Sequence, residues 1–204
     1  MDTQLFFVVG TGENSDWPRN KLFIWNDAEK RRVSQIEFYQ PITDLLMVGG
    51  WALVAFEDRV LPFNFDKDIS TSWDQNGIPT KINKRGLIDL YVDNTCVRIV
   101  VPVPNQEKEG HAHVTIISTE EKKEGEIDQK DGLQKDIYVD VTHDKKKYQT
   151  IRFVKNGSIL AAATRDGRMI KFVNVLDGTL VSKVTRGKNS AKICSISAIS
   201  TSEI

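Results

Sequence analysis

The chain has 204 residues, and 40% of them are hydrophobic, an ordinary proportion for a globular protein. Its 28 basic and 28 acidic side chains balance, so no overall electrostatic field draws it to nucleic acid or to an anionic membrane. Its two cysteines, Cys96 and Cys194, are far apart and lack CxxC spacing, which argues against a disulfide framework or a cysteine metal site and indicates a reducing compartment.

Short apolar or alternating runs, separated by Gly, Pro, Asn and Asp, recur along the whole chain. No stretch sustains helical spacing, so the pattern predicts an all-β fold. Many short strands of this kind suit a sandwich, a barrel or a propeller. The predicted strands, in chain order, are Leu5–Val9, Lys21–Trp25, Val33–Phe38, Ile42–Val48, Trp51–Phe56, Val60–Asn64, Leu87–Val92, Val97–Val101, Val114–Ser118, Asp136–Thr142, Tyr148–Val154, Ile159–Thr164, Met169–Val175 and Thr179–Thr185.

An apolar strand that ends in Asn or Ser recurs at residues 22–26, 60–64, 114–118 and 170–174. Successive copies are 38, 54 and 56 residues apart (26 to 64, 64 to 118, 118 to 174). WD-type propeller repeats run about 40–45 residues, so the first interval fits and the later two require insertions. Residues 66–83 form one polar insertion. Residues 120–135 form a second, highly charged one, predicted to be a disordered loop between strands.

The last complete unit of the chain has four strands, within residues 148–185, joined by turns that contain Asn156-Gly157, Asp166-Gly167 and Asp177-Gly178. Asn-Gly and Asp-Gly supply the positive φ that tight hairpins require, so the unit reads as an antiparallel meander. One such meander is one propeller blade. We therefore predict a single domain over residues 1–204, a WD-repeat-like β-propeller of four-stranded antiparallel blades, with about four blades present.

Four segments resemble, in the right order, the PROPPIN (WIPI) family of seven-bladed β-propellers that act in autophagy. Residues 21–27 are similar to that family's Lys-Val-x-Ile-Trp-Asp-Asp strand, and residues 57–65 to its Glu-Asp-Lys-Ile-Tyr-Val-Tyr-Asn-Phe strand. Residues 161–171 resemble Ala-Thr-Ala-Ser-x-x-Gly-Thr-x-Ile-Arg, and residues 183–187 a weakened Phe-Arg-Arg-Gly signature. The match starts where the family's second blade would begin and stops just past the signature.

The resemblance implies a scaffold that binds phosphatidylinositol 3-phosphate or 3,5-bisphosphate on membranes, and not an enzyme. Arg186 takes the second Arg of the signature and Gly187 its Gly, while Thr185 stands at the first Arg. Lys183, Arg186, Lys188 and Lys192 carry four positive charges with no acid between them, and clustered phosphates are best met by such side chains. The phosphoinositide-binding residues implied by the resemblance are Thr164, Arg168, Lys171, His143, Thr185, Arg186, Gly187 and Ser190.

Further partners and the location follow from the same resemblance. Autophagy proteins are expected at the blade edges, and nucleic acid is not expected as a partner. No segment approaches about 18 consecutive apolar residues, so we expect no transmembrane helix. The expected location is cytoplasmic, peripheral on preautophagosomal, endosomal or vacuolar/lysosomal membranes.

Two alternatives to lipid binding stay open at this point. The first is a WD-repeat protein-protein interaction module that has lost lipid binding. The second is a metal protein or enzyme that uses His111 and His113, whose alternate spacing places two imidazoles on one strand face. No third ligand is evident near the two histidines, and no Ser-His-Asp set, Cys-His pair or carboxylate dyad is visible. We therefore predict no metal site, no cofactor and no enzymatic activity.

Overall fold

The chain folds as a succession of antiparallel β-meanders. The computed structural model describes residues 5–13, 16–65, 76–80, 82–103, 110–119, 134–143 and 147–197. Within these ranges, sheet 1 contains β1 (Leu5–Val9), β2 (Lys21–Asn26) and β3 (Arg31–Glu37), and sheet 2 contains β4 (Asp44–Val48), β5 (Trp51–Ala55), β6 (Arg59–Asn64) and β7 (Ile78–Pro79). Sheet 3 contains β8 (Asp89–Val92), β9 (Cys96–Pro102), β10 (His111–Ser118) and β11 (Gln134–Asp140). Sheet 4 contains β12 (Tyr148–Val154), β13 (Ile159–Thr164), β14 (Met169–Asn174) and β15 (Leu180–Thr185).

Strands within each sheet pair in sequence order, and tight turns join all four strands of sheet 4. The turn from β12 to β13 places Lys155, Asn156 and Gly157 at φ values of 49°, 53° and 70°, and the turn from β13 to β14 places Gly167 at 64°. Glycine and asparagine tolerate this left-handed region, as the Asn-Gly and Asp-Gly signals indicate. Sheet 4 is therefore the four-stranded meander that the sequence predicts.

Three apolar cores lie between consecutive sheets. The first packs sheet 1 on sheet 2 and includes Leu22 and Val54. The second, with Leu53 and Ile99, packs sheet 2 on sheet 3, and the third packs sheet 3 on sheet 4. Each sheet thus contributes one apolar face to each neighbour, which is the packing of propeller blades. The predicted all-β, propeller-type fold is confirmed, with three described strands in sheet 1 and four in each of the others.

All fourteen predicted strands are present, with shifts of up to three residues at their ends. A fifteenth strand, β7, lies within the predicted polar connection at residues 66–83; residues 66–75 and 81 are outside the described part of the chain. β7 has two residues and includes a proline, so it carries no alternating signal. The four repeated segments fall on β2, β6, β10 and β14, each the second-to-last strand of its sheet.

Of the predicted charged loop at residues 120–135, residues 120–133 lie outside the described part of the chain. β11 begins at Gln134. None of the described residues forms a helix that is long and apolar enough to cross a membrane.

Candidate anion-binding site

The turn from β13 to β14 meets the segment that follows β15 at one end of sheet 4. Gly167 lies in this turn at φ 64°, and a Cβ on it would be 1.9 Å from the main-chain oxygen of Ala191. The Ala191 N–H donates to the Asp166 main-chain oxygen at 3.0 Å. The two backbone segments are therefore in direct contact. We call the surface formed by residues 165–168 and 186–193 the sheet 4 rim.

Arg186 holds the sheet 4 rim together through its own backbone and side chain. Its main-chain N–H donates to the Arg168 carbonyl at 2.8 Å. Its Nε donates to the Gly167 carbonyl at 2.8 Å, and its Nη2 donates to the Asn189 carbonyl at 2.7 Å. A guanidinium has five N–H donors, so these two side-chain bonds leave others available, including both on Nη1. Arg186 is exposed and can both shape the rim and contact an anion.

Arg168 and Ser190 come together although they are 22 residues apart in sequence. Arg168 Nη2 lies 3.5 Å from Ser190 Oγ, and both residues are exposed. Asp166 is the acidic neighbour of this pair: its Oδ1 accepts the Arg168 main-chain N–H at 3.1 Å, and its Oδ2 lies 4.0 Å from Arg168 Nε. The sequence signature did not single out Asp166, although the Asp-Gly turn locates it.

Thr164 lies beneath the rim and not on its surface. Its exposed fraction is 3%. Its hydroxyl lies 2.6 Å from Asp166 Oδ1 and accepts the Met169 main-chain N–H at 3.3 Å. These contacts close the turn from β13 to β14, so the Thr164 hydroxyl stabilises the turn that carries Arg168.

Lys171 and His143 lie at the junction of sheets 3 and 4. The exposed fraction of Lys171 is 6%, and its Nζ donates to the main-chain oxygen of Thr142. The neighbouring His143 is exposed, has φ 55°, and donates its main-chain N–H to Asp140 Oδ1 at 2.7 Å. The ammonium of Lys171 therefore joins the two sheets, while the imidazole of His143 faces solvent.

Thr185 and Gly187 flank Arg186. Thr185 is the exposed last residue of β15 and pairs with Met169. A Cβ on Gly187 would meet no heavy atom of the described residues within 4 Å, so none of them requires glycine there. The structure brings Arg168, Arg186 and Ser190 together on the exposed rim, with Thr185 and the half-buried Gly187 on either side of Arg186, and leaves Thr164 and Lys171 buried. Lys183, Lys188 and Lys192 are also exposed along this segment.

The two histidines of β10 belong to a different part of the molecule. His113 Nε2 lies 2.8 Å from Asp136 Oδ1 across the β10–β11 pair, and its ring stacks on Tyr138 with centroids 4.7 Å apart. Burial raises the pKa of Asp136, but hydrogen bonds from Thr115 and His113 outweigh it and hold the pKa below its usual value. Among the described residues, no group of three His, Cys, Asp or Glu side chains is placed to hold a metal ion.

Comparisons with known proteins give relatives along nearly the whole chain. It is 24% identical over 211 residues to SVP1-like protein 2 of Debaryomyces hansenii, covering 95% of this chain and 48% of the relative. It is 25% identical over 195 residues to autophagy-related protein 18e of Arabidopsis thaliana, covering 95% and 46%. The chain thus spans about half the length of these curated relatives. No family model matches.

Solved structures give the same fold. Hsv2 of Kluyveromyces lactis superposes with a TM-score of 0.66 at 18% identity, covering 93% of this chain and 50% of that one. KlAtg21, solved in complex with the coiled-coil of AgAtg16, superposes with a TM-score of 0.64 at 17% identity, covering 94% and 56%. The sequence relatives and these β-propeller structures confirm the resemblance to the PROPPIN family.

Proposed function

We propose that this chain, a β-propeller related to the PROPPIN proteins of autophagy, is a peripheral membrane scaffold that binds phosphatidylinositol 3-phosphate or 3,5-bisphosphate at the sheet 4 rim. The observation that supports this most is the convergence of Arg168 and Ser190 beside Arg186 on one exposed surface. Guanidinium forks and a hydroxyl are the groups that recognise a phosphate. The location follows from this function: cytoplasmic, on preautophagosomal, endosomal or vacuolar/lysosomal membranes.

The strength of such a site depends on how many donors face the phosphate. A hydrogen bond to a charged group contributes roughly 1.5–3 kcal/mol, so each of the two arginines is expected to contribute measurably to binding. The exposed Lys183, Lys188 and Lys192 add attraction to any anionic membrane surface, about 1 kcal/mol each at most. Asp166 reduces the local charge, but its carboxylate already accepts bonds from the turn.

The headgroup is expected to bind at one place on the rim. Thr185 provides no guanidinium at the first Arg position of the signature, and Lys171 is committed to Thr142 between sheets 3 and 4. His143 lies beside that junction with its side chain in solvent. We therefore assign the principal phosphate contacts to Arg168, Arg186 and Ser190, with Thr164 supporting the turn that carries Arg168.

Vesicle co-sedimentation tests this function. The chain is mixed with phosphatidylcholine vesicles that contain phosphatidylinositol 3-phosphate, the 3,5-bisphosphate, the 4-phosphate or phosphatidylserine. We expect pelleting with the first two lipids and a loss of roughly tenfold or more in affinity for Arg168→Ala, since one charged hydrogen bond is removed. Lys155→Asn is the matched control: it removes a positive charge from the opposite end of sheet 4 with a residue that tolerates φ 49°.

Three results would contradict the lipid function: no pelleting with any vesicle, equal pelleting with phosphatidylserine, or an Arg168→Ala variant that binds like the native chain. Circular dichroism of each variant, compared with the native chain, establishes that a loss of binding is not a loss of folding.

A protein-binding function is the second candidate, favoured by a cleft of about 430 Å³ between sheets 1 and 2. Phe38, Phe56 and Leu61 give this cleft an apolar floor, and Tyr39 is fully exposed beside it. The relative KlAtg21 forms a complex with the coiled-coil of AgAtg16, so we propose a helical autophagy protein as the partner of this chain. Calorimetric titration with that coiled-coil, using the native chain and Tyr39→Ala, tests the cleft; equal heats from both proteins would contradict it.

A further inference from the structure

The inner edge of β1 has no strand partner within the described part of the chain. We call the first strand of a four-stranded sheet its inner strand and the last strand of any sheet its outer strand. The inner strands of sheets 2, 3 and 4 are β4, β8 and β12, and each pairs with the next strand of its sheet. In sheet 1, β1 pairs with β2 alone. A cavity of about 730 Å³ opens between β1 and β4, and its lining includes Phe7, Val9, Ile42 and Leu45. An unpaired strand edge, here beside a cavity lined by both apolar and charged residues, is a template for an additional strand.

The three inner strands share a short sequence pattern that shows what kind of strand fits there. Each contains Asp or Thr followed by Leu or Ile, and this apolar residue packs into the core shared with the preceding sheet. In sheets 3 and 4 the polar residue comes ten positions after the end of the preceding outer strand (79 to 89 and 140 to 150), and in sheet 2 seven positions (37 to 44). The pairs are Asp44-Leu45, Asp89-Leu90 and Thr150-Ile151.

After its last described strand, the chain carries a similar pair in which serine takes the place of Asp or Thr. β15 ends at Thr185, and Ser195-Ile196 follows with the same interval of ten positions (185 to 195). Residues 193–197 are described but belong to no strand. In each earlier case, the residues after an outer strand become the inner strand of the next sheet. Residues 193–197 therefore have the sequence and position of an inner strand for a sheet that follows sheet 4.

This segment is held beside its own sheet 4. The Ile193 main-chain N–H donates to Gln149 Oε1 at 2.8 Å, and the Ala191 carbonyl accepts from Gln149 Nε2 at 3.2 Å. Beyond Ile193, four described residues remain, and four residues span at most about 14 Å when fully extended. Sheets 2 and 3 lie between sheet 4 and sheet 1. The segment therefore does not pair with β1 of the same copy.

Sheets 1 and 4 each have one face that packs on no other described sheet, and both of these faces carry exposed apolar side chains. On β1, Phe7 and Val9 face sheet 2, so Phe6 and Val8 lie on the opposite face, where they are 50% and 39% exposed. On sheet 4, the outward face includes Val184 of β15, which is 51% exposed and pairs with Ile170. Both faces thus present apolar side chains that a neighbouring sheet would bury.

We propose that residues 193–197 of one copy add to the open edge of β1 of a second copy and become the inner strand of its sheet 1. Sheet 1 of the second copy then packs beside sheet 4 of the first copy, in the same way as consecutive sheets pack within one chain. The contact joins residues 193–197 of one copy to the β1 edge of another. If two copies each donate this segment to the other, they form a closed two-fold dimer. If the donation is not returned, further copies add in a chain.

Sedimentation velocity of the 204-residue chain, across a broad concentration range, tests this proposal. We expect the sedimenting mass of the native chain to at least double as concentration rises. Ile196→Pro removes a strand N–H and the apolar contact, so this variant is expected to sediment as a single copy at every concentration. Ser197→Ala is the matched control and is expected to assemble like the native chain. Because residue 196 lies outside all described strands, Ile196→Pro is expected to keep the native circular dichroism.

A peptide with the sequence of Ala191–Ser197 provides an independent measurement. Added in excess to the native chain, it is expected to occupy the β1 edge and return the chain to a single copy. The proposal is overturned if the native chain sediments as one copy at all concentrations, if Ile196→Pro assembles like the native chain, or if the peptide leaves assembly unchanged.

Discussion

Asp89 accepts a 2.7 Å hydrogen bond from Nη1 of Arg152, and its second oxygen accepts the Phe153 main-chain N–H at 2.5 Å. These bonds join β8 to β12, the inner strands of sheets 3 and 4. Asp89 is buried, and burial raises the pKa of its carboxyl while the bonds from Phe153 and Arg152 oppose that rise. A polar contact therefore fixes the position of sheet 4, which carries the candidate site, against sheet 3.

Asp89→Asn is expected to destabilise the chain by about 1–3 kcal/mol, because an amide can accept from only one of the two donors and leaves the other unsatisfied. The free energy of unfolding in urea measures this effect. Asp27→Asn is the control: it removes an exposed ion pair with Lys30 and is expected to cost at most about 1 kcal/mol. Equal losses for both variants would show that the Asp89 bonds do not hold the sheets together.

Gly167→Ala is expected to lower stability by about 2 kcal/mol or more. The residue has φ 64°, and the new Cβ would collide with the Ala191 carbonyl, so the rim has to move apart. Gly187→Ala is the matched control, since its Cβ meets no heavy atom of the described residues within 4 Å. Thermal unfolding of both variants checks the difference, and similar melting temperatures would contradict the close contact at Gly167.

Arg186→Gln and Arg168→Gln are expected to differ in stability although both weaken vesicle binding. Arg186 bonds the carbonyls of Gly167 and Asn189, so its loss is expected to cost about 1 kcal/mol and to speed amide hydrogen exchange in residues 187–191. The Arg168 side chain is exposed and lies near Ser190 and the half-buried Asp166 without bonding a rim carbonyl, so the exchange rates are expected to stay native. If both variants exchange alike, Arg186 has no special role in shaping the rim.

Asp93 makes stability depend on pH in the acid range. Burial raises its pKa, but hydrogen bonds from Thr95 and Cys96 and the charge of Arg98 outweigh it, and the pKa falls to about 2. The unfolded value is about 3.9, so Asp93 stabilises the fold fully above that pH and the contribution is lost as pH falls from about 4 to 2.

The corresponding measurement compares native and Asp93→Asn chains by urea unfolding across this pH range. The native chain is expected to lose its stability advantage over the variant as the pH falls. An advantage that stays constant down to about pH 2 would be inconsistent with the lowered pKa.

Strands and turns were predictable because their signals are local. Alternating apolar residues mark β12 to β15, and Asn156-Gly157 and Asp166-Gly167 mark the turns between them. β7 was not predictable, because a two-residue strand that contains proline has no periodicity and exists only through its pairing with β6. The propeller-type class and the order of the sheets follow from repetition, which is also visible in the sequence.

Local sequence patterns were enough to predict the all-β class, the blade unit in sheet 4 and the order of the basic residues along the chain. How those residues are used depends on the way the sheets pack. Lys171 and Arg168 are three positions apart, yet one is buried against Thr142 and the other meets Ser190 in solvent. Strand periodicity states that side chains alternate between faces, but the packing of sheet 3 on sheet 4 decides which face is buried. That packing depends on contacts between residues that are distant in sequence, which no local pattern records.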